Sequence, residues 1–391
     1  MPVRSVRSRR RVAVALVAAS LAVLPPVAAD AAVPPGPHHD SGLQEQLDEL
    51  VDAPGGPPGV IVVLRDGEHS RVVRAGVADL ATGRRPEAGD HMRIASTAKA
   101  FSGAVALSLV EWNALRLDDT LGGLLPHLPK DWHAVTLRQL LHHTSGLPDF
   151  SQSPGFLKII RADPRHRFDS RGLLDFAAGE PLRFEPGSRY QYSNSDNIAV
   201  ALMAEAATHI PYERLLDKLV YRPLGLRGTS LPQGYRMPKP YLHGYDVSPP
   251  HPTEDVSEVL GMSGVWASGG IVSTPADMTR FIRGYAGGRL YGSHVVERQR
   301  DWIPGSSEPK GPGRNDAGLG VFRYSTRCGV VLGHTGNTLG YTQLIAATPD
   351  GHRSLTFSVT TQVNQAQKPE LLRRMRAVQE NFVCALLRHR S

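Results

Sequence analysis

The spacing of apolar residues changes period along the chain. Residues 42–51 place Leu43, Leu47 and Leu50 on one face, which predicts an amphipathic helix. Residues 59–64 form an unbroken apolar run, Arg65-Asp66-Gly67-Glu68 supplies a turn, and residues 71–78 return, so a β-hairpin follows. Near the other end, residues 318–324, 329–332, 340–347 and 354–360 read as short strands, with Pro349-Asp350-Gly351 turning between the last two. Residues 369–387 close the chain as a helix, with Leu371, Leu372, Met375, Val378, Phe382 and Leu386 at helical spacing. Residues 96–262 are dominated by helical patterns and interrupted by Pro and Gly clusters, as between Leu231 and Pro252.

Strands at both ends and helices between them predict an α/β protein of the α+β type. An antiparallel sheet flanked by N- and C-terminal helices carries an inserted all-helical lobe. The sheet lobe is expected over about 41–95 and 263–391 and the helical lobe over about 96–262, with the active site at their seam.

The first residues read differently. Arg4, Arg7, Arg9, Arg10 and Arg11 precede an apolar run over residues 12–24, and Ala29-Asp30-Ala31 offers a small-x-small cleavage site. Residues 1–31 are therefore expected to be a signal peptide, followed by a Pro- and His-rich linker over 32–40, and the protein is expected to be secreted. Ser8-Arg9-Arg10-Arg11 leaves the twin-arginine route open beside the general one. The full chain carries 44 Lys+Arg against 37 Asp+Glu; without the leader the balance is 39 against 36. Most of the basicity thus belongs to the leader, which argues against nucleic acid as a partner of the folded part. No later run of about twenty apolar residues predicts an integral membrane anchor. Cys328 and Cys384 are compatible with one disulfide in an oxidising compartment or with two buried thiols. The histidines lack the spacing of a zinc site, so neither a metal nor a cofactor is expected.

Three segments carry chemistry. Ser96-Thr97-Ala98-Lys99 opens residues 98–110, which are apolar around most of a helix and so predict a buried one. Positions i and i+3 share a face, so the Ser96 hydroxyl can lie beside the Lys99 amine near the positive end of the helix dipole. Burial and that dipole both disfavour a charged lysine, which makes Lys99 a proton acceptor for a nucleophilic serine. With 7 lysines against 37 arginines in the chain, a lysine at this position is informative, because arginine does not release its proton. Next, Phe184-Glu185-Pro186-Gly187 turns the chain into Tyr192-Ser193-Asn194. A cation beside Tyr192 would lower its pKa and permit a shared Lys99/Tyr192 proton relay, while Asn194 could bind a substrate amide or hold Lys99. Ser195-Asp196-Asn197 also spells the S-D-N triplet, read here as a coincidental overlap. Third, His334-Thr335-Gly336 follows a strand and reads as an edge segment lining a cleft. There Thr335 could bind a carboxylate, Gly336 would let substrate approach, and the Asn337 N–H could pair with that of Ser96 as an oxyanion hole.

In this order the three segments resemble the penicillin-recognising serine hydrolases, the superfamily of serine β-lactamases and D-alanyl-D-alanine peptidases. Leu140-Leu141-His142-His143-Thr144-Ser145-Gly146-Leu147-Pro148, Trp266-Ala267-Ser268-Gly269-Gly270-Ile271-Val272-Ser273-Thr274 and Phe281-Ile282-Arg283-Gly284 also look like its class C branch. His334, where class C enzymes carry lysine, looks most like the secreted actinomycete D-alanyl-D-alanine carboxypeptidases. The resemblance implies an acyl-enzyme on Ser96, proton transfer through Lys99 and Tyr192, D-alanyl-D-alanine peptides or small acyl compounds as substrates, and β-lactams as inhibitors. Asn194, His334, Thr335, Gly336 and Asn337 fall on its substrate-binding positions. His334 supplies less positive charge than lysine at neutral pH, and Arg323 on the preceding strand is expected to compensate. A β-lactamase or esterase of the same fold would share the chemistry; a silent penicillin-binding module would need none of Ser96, Lys99 and Tyr192.

Overall fold

The computed structural model describes residues 40–388; the leader 1–31 and the linker up to residue 39 lie outside them. The described residues contain twelve strands: β1 Gly59–Asp66, β2 His69–Gly76, β3 Met92–Arg93, β4 Tyr245–Asp246, β5 Glu254–Asp255, β6 Val272–Ser273, β7 Ile303–Pro304, β8 Arg314–Ala317, β9 Phe322–Thr326, β10 Gly329–Thr338, β11 Tyr341–Ala347 and β12 Arg353–Val359. Eight form one antiparallel sheet in the order β2-β1-β12-β11-β10-β9-β8-β7, so the two chain ends meet where β1 pairs with β12. The pairs β3–β6 and β4–β5 lie apart from it.

Both faces of the sheet are covered, which explains the unbroken apolar run in β1. Val60 and Val62 pack with Leu43, Leu47 and Leu50 of the helix Asp40–Asp52 and with Phe382 of the helix Pro369–Leu387. Ile61 and Val63 face the opposite core, which contains Phe101 and Phe281 stacked at 3.6 Å. A strand with period-2 side chains and two apolar faces reads as continuously hydrophobic. The helix Ala98–Glu111 runs through that second core with residues 98–109 all buried, against the helices Asn194–Thr208 and Trp266–Gly269. The β9–β10 turn is tied to the last helix by a Cys328–Cys384 disulfide with Cα atoms 5.2 Å apart, which resolves the open cysteine question.

The strand expected over 318–324 starts only at Phe322. Gly320 takes φ +68° and lies against the buried helix, where a Cβ would come within 2.9 Å of Gly103 Cα, so this stretch turns before it extends. Residues 329–332 are only the start of β10, which continues through His334-Thr335-Gly336 to Thr338. β9 pairs with β10 no further than Gly333, while β11 pairs along to Thr338. Residues 334–338 thus have one open edge, and it lies against the 3₁₀ turn Ala95–Thr97. Among the described residues, no helix is long and apolar enough to cross a membrane.

Candidate active site

Ser96 sits in the turn Ala95–Thr97, immediately before the buried helix. Ala95 has φ +50°, a conformation that costs a residue with a side chain about 1–3 kcal/mol and is tolerated where surrounding structure imposes it. The restraint comes from β10. A Cβ on Gly336 would lie 2.4 Å from Ile94 O and 3.1 Å from Ser96 N, so only glycine lets this strand seat against the nucleophile turn. Gly336 therefore admits the protein's own backbone rather than substrate, and the strand that carries Asn337 packs directly on the Ser96 turn. The Asn337 side chain is anchored to Val363 O.

Lys99, one helical turn later and 1% exposed, reaches three acceptors: Ser96 Oγ at 3.1 Å, Asn194 Oδ1 at 2.7 Å and Ser268 O at 2.9 Å. Two of these are carbonyl oxygens, which cannot donate. The amide of Asn194 is oriented unambiguously, because its Nδ2 donates to Asp149 Oδ2 at 3.1 Å and Ser151 Oγ at 3.0 Å. A neutral amine must therefore spend its two N–H bonds on Asn194 and Ser268 and direct its lone pair at the serine hydroxyl. Burial favours that neutral form, lowering the Lys99 pKa to about 7 against the opposing pull of Asp149, Glu308 and Asp196.

Tyr192 arrives as expected, on an irregular segment fixed where Gly187 N donates to Thr144 O and Gln191 N to His143 O. Its ring lies 4.9 Å from Lys99 Nζ and 4.5 Å from the centroid of the His143 ring. The expected lowering of its pKa is not found: burial pushes the phenol well above its ordinary value, and Glu308 and Asp149 add to this against the pull of Ser96. Tyr192 is therefore a neutral phenol. Its hydroxyl is buried near Ser96 without a hydrogen bond of normal geometry.

Other expectations change more. Asn194 has its amide fully engaged and acts as a holder of Lys99, not as a donor to substrate. His334 is buried and directs Nδ1 at Thr335 O; desolvation drives its pKa down to about 3, so the ring is neutral at ordinary pH. The Thr335 hydroxyl donates to Pro309 O. Arg323 makes both of its contacts to Asp316 Oδ2, at 3.1 and 2.9 Å, and lies over the Trp302 ring. No hydrogen bond, ion pair or ring contact joins it to the other site residues among the described residues, so it does not replace the missing lysine charge.

The family model described as Beta-lactamase matches residues 45–380, a span that contains all three segments just described. The chain belongs to the beta-lactamase family. Among curated relatives of this family, it is 25% identical over 313 residues to Penicillin-binding protein 4* of Bacillus subtilis (strain 168), covering 76% of this chain and 67% of that protein. It is also 25% identical over 212 residues to Protein flp of Staphylococcus aureus (strain MRSA252), spanning 52% of this chain but only 41% of that protein. Among solved structures, a D-stereospecific amidohydrolase from Streptomyces sp. superposes with a TM-score of 0.75 at 27% identity, covering 87% of this chain and 98% of that one.

Several residues of this beta-lactamase-family site escaped the sequence reading of its chemistry. Asp149 and Ser151 orient Asn194, and Ser268 holds Lys99 through a backbone carbonyl, which no side-chain motif reveals. Behind Tyr192, the Asp196 carboxyl accepts from Ser145 Oγ at 2.5 Å and meets His143 Nδ1 at 2.7 Å. Ser195 bonds to Pro148 O and Phe150 N, and Asn197 to Ser102, so the S-D-N triplet braces the loop rather than facing the nucleophile.

Proposed function

We propose that this protein is a serine amidohydrolase that cleaves amide bonds next to D-configured residues through an acyl-enzyme on Ser96. The observation that carries the reading is the pair of obligatory acceptors on Lys99, Asn194 Oδ1 and Ser268 O, which leaves its lone pair for the Ser96 hydroxyl. Ser96 Oγ attacks the carbonyl carbon as its proton passes to Lys99. The Ser96 and Asn337 N–H groups hold the oxyanion, the C–N bond breaks, and the proton reaches the departing nitrogen by way of the Tyr192 hydroxyl. Water then attacks the ester and regenerates the serine. Similarity to the Streptomyces amidohydrolase supports D-specific amides as the substrate class. Residues 1–31 support action outside the cytoplasm.

A D-alanyl-D-alanine carboxypeptidase would share every step and differ in the leaving group. The order of the three segments and the similarity to Penicillin-binding protein 4* favour that second reading. A neutral His334, a committed Thr335 hydroxyl and an Arg323 paired with Asp316 weigh against a site that captures a terminal carboxylate. The test compares D-alaninamide, L-alaninamide, diacetyl-Lys-D-Ala-D-Ala and p-nitrophenyl acetate on the purified protein. Ammonia release from the D-amide, with the L-amide inert, is expected. Preferential release of D-alanine from the tripeptide would establish the carboxypeptidase instead, and turnover of the ester alone would make the protein an esterase.

A further inference from the structure

Residues 306–309 form a strap between the second and third catalytic segments. Tyr190 donates its hydroxyl to Ser306 O at 2.6 Å, the Ser307 and Tyr324 hydroxyls share a hydrogen bond at 2.8 Å, and Thr335 Oγ1 donates to Pro309 O. Glu308 is held between these pinned neighbours. Its side chain is exposed to solvent, yet enough protein surrounds the carboxyl to desolvate it. Among the described residues it has neither a hydrogen bond nor an ion pair. Burial and then the Asp149 carboxylate push its pKa up, while Lys99 and, more weakly, Lys310 pull it down.

A carboxylate left without a partner beside an active-site amine has a chemical meaning. Of the two other acids acting on Lys99, Asp149 is taken by the backbone N–H and Nδ2 of Asn194, and Asp196 by Ser145 Oγ and His143 Nδ1. Every group expected to offer positive charge or a donor to an anionic substrate is neutral, committed or elsewhere, as described above. Among the described residues, the strap presents a carboxyl without a partner, and the exposed Lys310 is the one cation on it without an ion pair.

We propose that Glu308 is the counter-ion for a protonated amine on the acyl part of the substrate, so that the crevice selects donors with a free ammonium group and disfavours those ending in a carboxylate. This rests on the amidohydrolase reading and assigns its specificity. Glu308 touches substrate at a distance from the breaking bond, so it discriminates without taking part in proton transfer.

The experiment has two arms, each comparing D-phenylalaninamide with its N-acetyl derivative near neutral pH. In the kinetic arm, Glu308→Gln is expected to lower kcat/KM for the free amine about tenfold to a hundredfold relative to the N-acetyl compound, the range of one charge-assisted hydrogen bond, while the N-acetyl compound follows only the shift of the Lys99 limb. In the binding arm, calorimetric titration of Ser96→Ala, with and without Glu308→Gln, removes turnover from the comparison. The same loss confined to the free amine is expected. An equal loss on both ligands would mean that the strap is only structural, and no loss on either would mean that Glu308 does not face the bound amine; each overturns the proposal. If the wild-type enzyme hydrolyses neither amide while Ser96→Ala still binds the free amine in a Glu308-dependent way, the reaction has been misassigned and the ammonium site stands.

Discussion

Replacing Asp149 with asparagine should move the pH dependence of acylation in a direction fixed by the geometry around Lys99. The path from Asp149 Oδ2 to Lys99 Nζ crosses the Asn194 amide, with contacts of 3.1 and 2.7 Å on its two sides. One carboxamide between those contacts limits the charge separation to about 8 Å, where Coulomb attraction is worth about 2 kcal/mol at an effective dielectric of about 20 and about 0.5 kcal/mol in water. Those energies correspond to about 1.5 and 0.4 pKa units. Asp149 stabilises the protonated lysine, so removing its charge lowers a pKa that already stands at about 7. The base must be neutral, so kcat/KM rises with pH through the Lys99 pKa; in Asp149→Asn that rising limb should shift to lower pH by about 0.4 to 1.5 units. An asparagine can still accept from Asn194 Nδ2, which preserves the hold on Lys99. The assay is kcat/KM against pH for a substrate without a titrating group. A limb that moves upward, or stays while the plateau falls, would refute the assignment of Lys99 as the base under Asp149 control.

Three further outcomes follow. Tyr192→Phe removes a buried hydroxyl that makes no hydrogen bond of normal geometry, so the melting temperature should hold or rise while kcat falls about 10²- to 10⁴-fold; a parallel loss of both would make Tyr192 merely structural. Breaking Cys328–Cys384, which closes a separation of 56 residues, should cost about 4 kcal/mol by the chain-entropy relation, read as a lower denaturation midpoint without a change in kcat/KM; an unchanged midpoint would deny the bond a stabilising role. Gly336→Ala places a methyl group 2.4 Å from Ile94 O, against backbone that cannot rotate away, so acylation should collapse even in folded protein; retained activity would show that β10 need not seat on the nucleophile turn.

How far the sequence spoke depended on the range of each interaction. The Ser96–Lys99 pair is a neighbour relation within one helical turn, and the 14-residue apolar helix behind it announced its own burial. The terminal helices and the hairpin were legible for the same reason: their side-chain periods are local. The expectation for Tyr192 failed because its protonation depends on being buried among Glu308, Asp149 and Tyr324, none adjacent in the chain. Arg323 misled because its strand position was right but its partner, Asp316 on β8, belongs to a short strand with no apolar pattern. Ser268 acts through a carbonyl, and Asp149 through the amide of another residue, so neither has a spelling. Glu308 lies in an irregular strap whose position is set by Tyr190, Tyr324 and Thr335 from three different elements.

The central claim is that Ser96 is the nucleophile, and covalent trapping addresses it most directly. The purified protein is incubated with a fluorophosphonate, a serine-directed probe without a carboxylate, digested and mapped by mass spectrometry. A single phosphonyl adduct on Ser96 is expected, absent in Ser96→Ala and strongly slowed in Lys99→Arg. An adduct on another residue, or labelling that survives in Ser96→Ala, would contradict it.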